Sequence, residues 1–350
     1  MTNDVVLAGV DLVKDFAGRS GLIKARAGTV RAVDHVNLEL RRGRTLGLVG
    51  ESGSGKSTVG RLLLRLIDVS EGSVLLGGAD ITATKHGELR NLRRAMQMVF
   101  QDPYSSLNPT MRIGDIIEEP ISVHRSLSRA ERGKEVERLL VSVGLTADYT
   151  ERFPDELSGG QRQRVAIARA LAAGPEILIC DEAVSALDIS IQSQILNLLL
   201  RLQQEFGLTM LFVSHDLSVV RHVSHDIAVM YLGQIVEIGP AERVATAPAH
   251  PYTAALLSAV PQAKASAHRT REKIILQGDP PSPAAPPPGC PFVSRCPFAF
   301  EPCLTVRPAH TPVEGGGTVA CHLQTAGPVL AGAPLDRGLL NAASSSASSS

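Results

Sequence analysis

The stretch Gly50-Glu51-Ser52-Gly53-Ser54-Gly55-Lys56-Ser57 decides the fold of this chain. It fits G-x-x-x-x-G-K-[ST], the pattern of a phosphate-binding P-loop. The glycines allow the backbone to turn its N–H groups inward as an anion-binding nest. We expect Lys56 to reach the β- and γ-phosphates of a nucleotide and the Ser57 hydroxyl to bind Mg²⁺.

The residues on either side of this loop agree with the motif. Residues 45–49 are apolar and predict a buried strand, and residues 57–64 predict a helix whose N-terminus faces the phosphates. Strand, loop and helix in this order predict an α/β fold of the P-loop NTPase type, with a RecA-like mixed sheet. The expected ATP-binding residues of this segment are Gly50, Glu51, Ser52, Gly53, Ser54, Gly55, Lys56, Ser57 and Thr58.

Composition excludes several other classes of protein. The chain has 350 residues and a formal net charge of +0, so it lacks the general basic field that attracts nucleic acid. Residues 1–4 lack the charged and apolar regions of a signal peptide, and no stretch of the sequence is apolar for long enough to span a bilayer. We therefore expect a cytoplasmic location and no nucleic-acid partner.

Polar side chains follow three further stretches that predict buried strands. Gln101 follows residues 96–100, Asp181-Glu182 ends residues 177–182, and His215 ends residues 209–215. Ligands of parallel α/β sheets bind at the carboxyl ends of the strands. We expect Asp181 to hold Mg²⁺ through water, Glu182 to polarise the attacking water, Gln101 to reach Mg²⁺ or that water, and His215 to contact the γ-phosphate.

Three other segments complete the expected ATPase domain. Residues 5–41 predict an antiparallel sheet, in which Phe16 is either the face on which a base stacks or an ordinary aromatic residue. Residues 111–150 show helical periodicity and predict a helical insert. In Leu157-Ser158-Gly159-Gly160-Gln161, Ser158 and Gln161 stand in capping-box register, which predicts a helix running to residue 172, with N–H groups open to an anion. The spacing alone favours the alternative, a well-capped surface helix without a ligand.

These motifs in this order resemble the nucleotide-binding subunit of an ATP-binding cassette (ABC) transporter. The resemblance covers about residues 4–258, and its Walker A, Q-loop, signature, Walker B, D-loop and H-loop motifs match the P-loop, Gln101, Leu157 to Gln161, Asp181-Glu182, Asp188 and His215. It implies a head-to-tail dimer that encloses ATP between the P-loop of one subunit and the signature of the other. Ser158, Gly159, Gly160, Gln161 and Asp188 would then act on ATP in trans, Glu182 as general base, and Gln101 as the link to the membrane partner. Alanine stands at position 183, where many members of the family have proline.

The subfamily is indicated by residues 101–109, by His250-Pro251-Tyr252-Thr253 and by a Cys/Pro-rich tail, which look like the oligopeptide/dipeptide importer ATPases. Residues 181–188 are similar to the second of the two paired ATPases of such importers. The resemblance implies a heterodimer with a homologous ATPase, two integral membrane permease subunits and an extracytoplasmic peptide-binding protein, with this chain on the cytoplasmic face of the membrane. Related members carry nickel, glutathione or other peptides.

The C-terminal part differs in composition from the rest. We divide the chain into an ATPase domain at 1–258, an extension at 259–330 and a tail at 331–350 that is too polar and repetitive to pack. The extension carries Cys290, Cys296, Cys303 and Cys321, separated by five, six and seventeen residues, whereas Cys180 lies in a predicted core strand. This spacing matches neither zinc-ribbon nor ferredoxin patterns. The resemblance favours a [4Fe–4S] cluster, and zinc or thiols without a ligand are the alternatives.

Three competing functions remain at the level of sequence. An ABC protein that acts on DNA or ribosomes usually carries two cassettes or a long coiled-coil insertion, and this chain shows neither. A P-loop kinase or GTPase would leave residues 157–161 and His215 unexplained. The third is a metal-binding regulatory protein centred on the cysteines, which gel filtration with ATP and with membrane partners would distinguish from the transporter.

Overall fold

The computed structural model describes residues 4–17, 29–259, 274, 276, 278–325 and 327. The tail at 331–350, for which the sequence predicts disorder, lies outside the described residues. The strands are β1 Val5–Ala17, β2 Thr29–Arg41, β3 Thr45–Val49, β4 Glu71–Leu76, β5 Ala79–Asp80, β6 Met96–Val99, β7 Ile177–Asp181, β8 Thr209–Ser214, β9 Asp226–Tyr231, β10 Gln234–Pro240, β11 His310–Pro312 and β12 Thr318–Ala320.

Helices cover both faces of the larger sheet. They are α1 Lys56–Leu63, α2 His86–Ala95, α3 Pro103–Ser106, α4 Ile113–His124, α5 Arg129–Ser142, α6 Gly159–Ala172, α7 Ile189–Phe206, α8 Leu217–Val223, α9 Ala241–Thr246, α10 Pro251–Ala259 and α11 Glu301–Thr305. Short 3₁₀ turns occur at Ala147–Glu151, Pro154–Glu156, Val293–Arg295 and His322–Gln324.

The larger sheet is mixed, and its order is β11-β12-β10-β9-β3-β8-β7-β6. Strands β9, β3, β8, β7 and β6 run parallel, and β10, β12 and β11 pair antiparallel with their neighbours. Every residue of β3, β7 and β8 is buried, as expected of strands covered on both faces. The carboxyl ends of β3, β8, β7 and β6 therefore meet at one edge, which confirms the placement that the strand pattern predicts.

The smaller sheet is antiparallel, in the order β2-β1-β4-β5, and confirms the sheet predicted at the N-terminus. Its apolar face shares one core with α1 and with the central strands of the larger sheet. Leu12, Leu62 and Val213 represent the three layers of this core, and each is fully buried. The helix after the P-loop is thus held between two sheets, which fixes the direction of its N-terminus.

The predicted helical insert consists of α4 and α5, which pack against α6 and one another. The apolar residues that the periodicity places inward are buried, namely Ile113, Ile116, Ile117, Val136, Leu139, Leu140 and Val143. Ser158 caps α6 through a complete capping box with Gln161, as the sequence predicts. Packing against the insert therefore fixes the position of α6, including its first turn.

The segment around the C-terminal cysteines packs onto the ATPase core. Strand β12 pairs with β10 and so extends the larger sheet. Phe292 is fully buried, and its ring centroid lies 5.2 Å from that of Tyr231 and 5.5 Å from that of Tyr252. Strands of three residues give no periodic signal in a sequence, and this continuity between the two parts was not predicted.

Candidate nucleotide site

The P-loop joins β3 to α1 in a conformation that requires glycine. Gly55 has a φ of 104°, and a β-carbon there would collide with the carbonyl oxygen of Ala32 in β2. Gly55 is also the N-cap residue of α1, and it offers no side chain to the helix N–H groups. The first turn of α1 therefore keeps free N–H groups at the positive end of the helix, which is a suitable site for an anion.

Lys56 lies inside the loop, where its side chain is buried. Its ammonium group donates hydrogen bonds to the carbonyl oxygens of Gly50 and Glu51, both at 2.8 Å. Burial lowers the pKa of Lys56, and the acids Glu182, Asp181 and Glu51 oppose that shift. A phosphate oxygen in the loop would compete with the two carbonyl groups for a cation that is already desolvated.

Ser57 and Asp181 come together as expected of a magnesium site. The Ser57 hydroxyl donates to Oδ1 of Asp181 at 2.7 Å, across the gap between α1 and the end of β7. Asp181 is buried, and this burial is the main reason why its pKa is raised, although the bond from Ser57 opposes the shift. A hydroxyl and a carboxylate are hard oxygen ligands of the kind that Mg²⁺ prefers, so these residues fit the metal.

The Glu182 carboxylate contacts the two other polar side chains predicted at strand ends, those of Gln101 and His215. Its Oε2 accepts a hydrogen bond from Nε2 of Gln101 at 2.8 Å, and its Oε1 lies 3.6 Å from Nδ1 of His215. The backbone of Glu182 has a φ of 47°, which is unusual for a residue with a side chain, and its N–H donates to Val213 at 3.0 Å. Backbone strain of this kind is found at functional sites because the surrounding structure enforces it. Gln101 thus contacts the carboxylate at which the attacking water was expected.

The first turn of α6 faces solvent. Ser158 is exposed, its hydroxyl accepts from the N–H of Gln161 at 3.4 Å, and the Gln161 amide donates to the hydroxyl of Tyr149 at 2.8 Å. A β-carbon on Gly160 would lie 2.7 Å from Cγ2 of Ile191 in α7, so a side chain there would push the two helices apart. These hydrogen bonds stay within the helical region and the turn preceding it.

Two further candidates, Asp188 and Phe16, are also exposed. Asp188 is the N-cap residue of α7, makes no side-chain capping bond and is exposed, and the following Ile189 is 84% exposed. Phe16 is 42% exposed near the end of β1, where it pairs with Val30 of β2. Strand β2 is the one whose Ala32 contacts the P-loop, so Phe16 stands one strand away from the loop.

The metal site that we expected at the four C-terminal cysteines finds no support in the placement of the described side chains. Among the described residues, no group of three or more His, Cys, Asp or Glu side chains is placed to hold a metal ion. Burial raises the pKa of Cys290 to about 11 and that of Cys296 to about 12, and it also raises the pKa of Cys321. Without a bound metal ion, burial favours the neutral form of these thiols. The [4Fe–4S] expectation for Cys290, Cys296, Cys303 and Cys321 is therefore unsupported by this result and stays a prediction, whereas Cys180 is fully buried in β7 as predicted.

The cysteines nevertheless keep some features of metal ligands. The thiols of Cys290, Cys296 and Cys321 each accept a hydrogen bond from the backbone N–H two residues later, at Phe292, Phe298 and Leu323. The four side chains also lie within electrostatic range of one another. Backbone donors to sulfur stabilise thiolates, which are the ligand form of cysteine.

Sequence reasoning missed two residues at the P-loop. The Glu51 N–H donates to the hydroxyl of Tyr252 at 2.8 Å, and Arg295 makes an ion pair with the Glu51 carboxylate. Tyr252 belongs to the stretch His250-Pro251-Tyr252-Thr253, which the sequence analysis used only as a mark of the subfamily. Arg295 gave no signal, because nothing in a sequence relates it to a loop more than two hundred residues earlier.

Comparison with known proteins assigns the family. Residues 33–185 match the ABC transporter family, and residues 236–303 match the family described as oligopeptide/dipeptide transporter, C-terminal region. The chain is 49% identical over 322 residues to the probable peptide ABC transporter ATP-binding protein y4tS of Sinorhizobium fredii, an alignment that covers 92% of this chain and 91% of that protein. This chain belongs to the ATP-binding proteins of ABC transporters.

Further relatives and solved structures agree with this assignment. The oligopeptide transport ATP-binding protein AppF of Bacillus subtilis is 49% identical, over 91% of this chain and 98% of AppF. The dimeric structure of MJ0796, a bacterial ABC transporter cassette, is 31% identical and superposes with a TM-score of 0.60, covering 67% of this chain and 98% of that one. CbiO1 of Clostridium perfringens, part of the transporter complex CbiONQ, gives 27% identity and a TM-score of 0.59 over 69% of this chain and 90% of its own.

Membership of this ABC family makes the chain an ATPase coupled to transport, which excludes the kinase or GTPase considered above. In the part of the chain that the structure describes, none of the helices has the length and apolar character needed to cross a bilayer.

Proposed function

We propose that this chain hydrolyses ATP to energise the import of di- and oligopeptides across the plasma membrane. The observation that carries the proposal is the match of residues 236–303 to the C-terminal region of oligopeptide/dipeptide transporters. The named activities of the relatives support it, since y4tS is a probable peptide transporter subunit, AppF an oligopeptide one, and DppF of Pseudomonas aeruginosa, 46% identical, a di/tripeptide one. In this proposal residues 1–258 form the ATPase and 259–330 the extension.

The geometry supports the following division of labour at the nucleotide. The free N–H groups at the start of α1 and the Lys56 ammonium bind the phosphates. Ser57 and Asp181 hold Mg²⁺, which when bound neutralises charge on the phosphate oxygens. Glu182 takes the proton of the attacking water, His215 contacts the γ-phosphate, and Gln101 orients the water through its bond to Glu182. Phe16 supplies an apolar face for the base.

We propose that the site is completed by a second, homologous ATPase in a heterodimer. The proposal is supported by the exposure of Ser158 in the signature turn, of Asp188 and of Ile189, whose side chain is 84% exposed. The MJ0796 cassette, which this chain resembles, is dimeric. In trans, the Ser158 hydroxyl and the N-terminus of α6 would stabilise phosphate charge.

The remaining partners follow from the same proposal. Two integral membrane permease subunits would receive the movement of the Gln101 region, and an extracytoplasmic protein would deliver the peptide. The chain would then be a peripheral protein at the cytoplasmic face of the membrane. Nickel and glutathione, which related transporters carry, are alternative solutes.

Peptide uptake by cells that carry Glu182→Gln in place of the parent chain tests the proposed cargo. We expect uptake of a labelled dipeptide, of a labelled longer peptide or of both to fall to background, since the variant keeps the fold and loses turnover. The peptide that is lost identifies the size class. If both uptakes persist while the variant is expressed and membrane-bound, peptide import is wrong, and uptake of labelled nickel and glutathione then identifies the solute.

We also propose that Cys290, Cys296, Cys303 and Cys321 hold a [4Fe–4S] cluster that stabilises the fold of the extension. The backbone donors to three of the thiols and their mutual electrostatic range support this proposal. Binding that occurs only in the folded state stabilises that state.

Metal analysis of the full chain purified without oxygen distinguishes the alternatives. The cluster predicts iron and acid-labile sulfide in equal amounts, and their joint loss with a lower Tm in Cys296→Ser. Cys180→Ala serves as the control, because that thiol lies in β7, apart from the other four, and alanine introduces no polar group into the core. Zinc without sulfide, or neither iron nor zinc, would contradict the cluster.

A further inference from the structure

Glu51, the second residue of the P-loop, is held by the C-terminal half of the chain. Nη1 of Arg295 lies 3.0 Å from Oε1 and 2.9 Å from Oε2 of its carboxylate. The Arg295 side chain is 8% exposed and that of Glu51 29%. The Glu51 N–H also donates to the hydroxyl of Tyr252, which is fully buried. Backbone and side chain of one loop residue are thus fixed by residues far away in the sequence.

Arg295 is presented to the loop by a rigid support. It ends the 3₁₀ turn Val293–Arg295, in which the N–H of Arg295 donates to Phe292 at 3.1 Å. Phe292 is fully buried against Tyr231 and Tyr252. The Arg295 guanidinium itself lies 5.9 Å from the centre of the Tyr231 ring. Because its base is packed in the core, Arg295 has little freedom to leave Glu51.

The negative charge of Glu51 is unfavourable for ATP binding because it lies in the loop that binds the phosphates. A P-loop receives a polyanionic phosphate chain, and Glu51 brings a carboxylate into that loop. The same carboxylate interacts electrostatically with Lys56, whose ammonium bonds to the Glu51 carbonyl oxygen at 2.8 Å. Without a counter-ion, Glu51 would repel the phosphates and draw Lys56 away from them. Arg295 supplies that counter-ion.

We propose that Arg295 is a positioning residue for ATP binding. It neutralises the charge of Glu51 and, with Tyr252, holds the start of the P-loop in the conformation that binds the phosphates. The inference deepens the ATP-binding role of this loop and does not depend on the nature of the cargo. Arg295 lies between Cys290 and Cys296 in the sequence. The affinity for ATP would therefore also depend on how the segment around these cysteines packs onto the ATPase core.

The test is the Kd for Mg-ATP of the purified full chain, measured by calorimetry in a Glu182→Gln background so that hydrolysis does not interfere. We expect Arg295→Gln to raise this Kd roughly tenfold, about the effect of losing one charge-assisted hydrogen bond. Adding Glu51→Gln to Arg295→Gln should restore most of the affinity, because it removes the uncompensated charge. Raising the ionic strength should shrink the defect of the single variant.

Arg307→Gln is the matched control. Arg307 belongs to the same segment and pairs with Asp34 in β2 at 2.7 Å, without contacting Glu51. We expect its Kd to equal that of the background chain. If Arg295→Gln does not fold, Arg295→Lys provides the comparison, with an intermediate Kd since lysine keeps the charge and loses the fork geometry.

Two results would overturn the proposal. One is a Kd for Arg295→Gln equal to that of the background chain. The other is a raised Kd that reflects general loosening of the segment. This is indicated if Glu51→Gln does not restore the affinity, or if Arg307→Gln raises the Kd to the same extent. Failure of the background chain itself to bind ATP would instead contradict the ATPase function.

Discussion

Glu182→Gln is expected to lower ATP turnover by about 10²–10⁴-fold, the usual contribution of a general base. The carboxylate stands at the end of β7 within reach of Gln101 and His215, and the backbone strain at Glu182 directs it there. Glutamine keeps the size and an oxygen that accepts from Gln101, and it loses the ability to take a proton. ATP binding should therefore be retained while phosphate release stops.

The measurement is phosphate release and Mg-ATP binding by the complete transporter assembled with its partner subunits. Glu176→Gln is a suitable control, because Glu176 lies just before β7, is 66% exposed and pairs only loosely with Arg42 at 3.4 Å. It should hydrolyse ATP like the parent. Parental turnover in Glu182→Gln would show that another group takes the proton.

The strand pattern predicted much of this site because its physical rule is simple. Parallel strands deliver their last residues to one edge, so Gln101, Asp181, Glu182 and His215 were placed together from the ends of apolar runs, and Ser57 was placed beside them from the P-loop motif. The hydrogen bond between Ser57 and Asp181 and the contacts of Glu182 confirm that placement. Periodicity likewise predicted the buried faces of α4 and α5, since each apolar stripe is long enough to show the helical repeat.

No such rule predicts contacts between irregular segments that are far apart in the sequence. Arg295 and Glu51 are 244 positions apart, and Arg295 lies in a single turn without periodicity. The short strands β11 and β12 join the larger sheet only because β10 offers them an edge. The four C-terminal cysteines show the reverse case, in which their clustering in the sequence suggested a metal site and no metal-binding group is found among the described side chains. Cysteine spacing carries no information on burial, and burial decides whether thiols ionise.

Lys56→Met is expected to lower ATP hydrolysis by about 10²–10³-fold, the loss seen when one preorganised charge-stabilising group is removed from a transition state. It should also weaken binding of Mg-ATP, because the phosphates lose the only side-chain cation that we assign to them within the P-loop. The comparison is with Lys134→Met on the exposed face of α5, which should keep parental activity.

A simple unfolding experiment separates this effect from damage to the fold. Burial holds the pKa of Lys56 below its ordinary value, so at neutral pH the folded chain contains a charge that it disfavours relative to the unfolded chain. Methionine has a similar shape without that charge, and the Tm of Lys56→Met should equal or exceed that of the parent in the absence of nucleotide. Added Mg-ATP should raise the Tm of the parent and of Lys134→Met, and should raise that of Lys56→Met by less at the same Mg-ATP concentration. A lower Tm of Lys56→Met without nucleotide would contradict this expectation. It would mean that the hydrogen bonds from Lys56 to Gly50 and Glu51 stabilise the loop by more than the burial of the ammonium group destabilises it. The loss of activity would then have a structural cause.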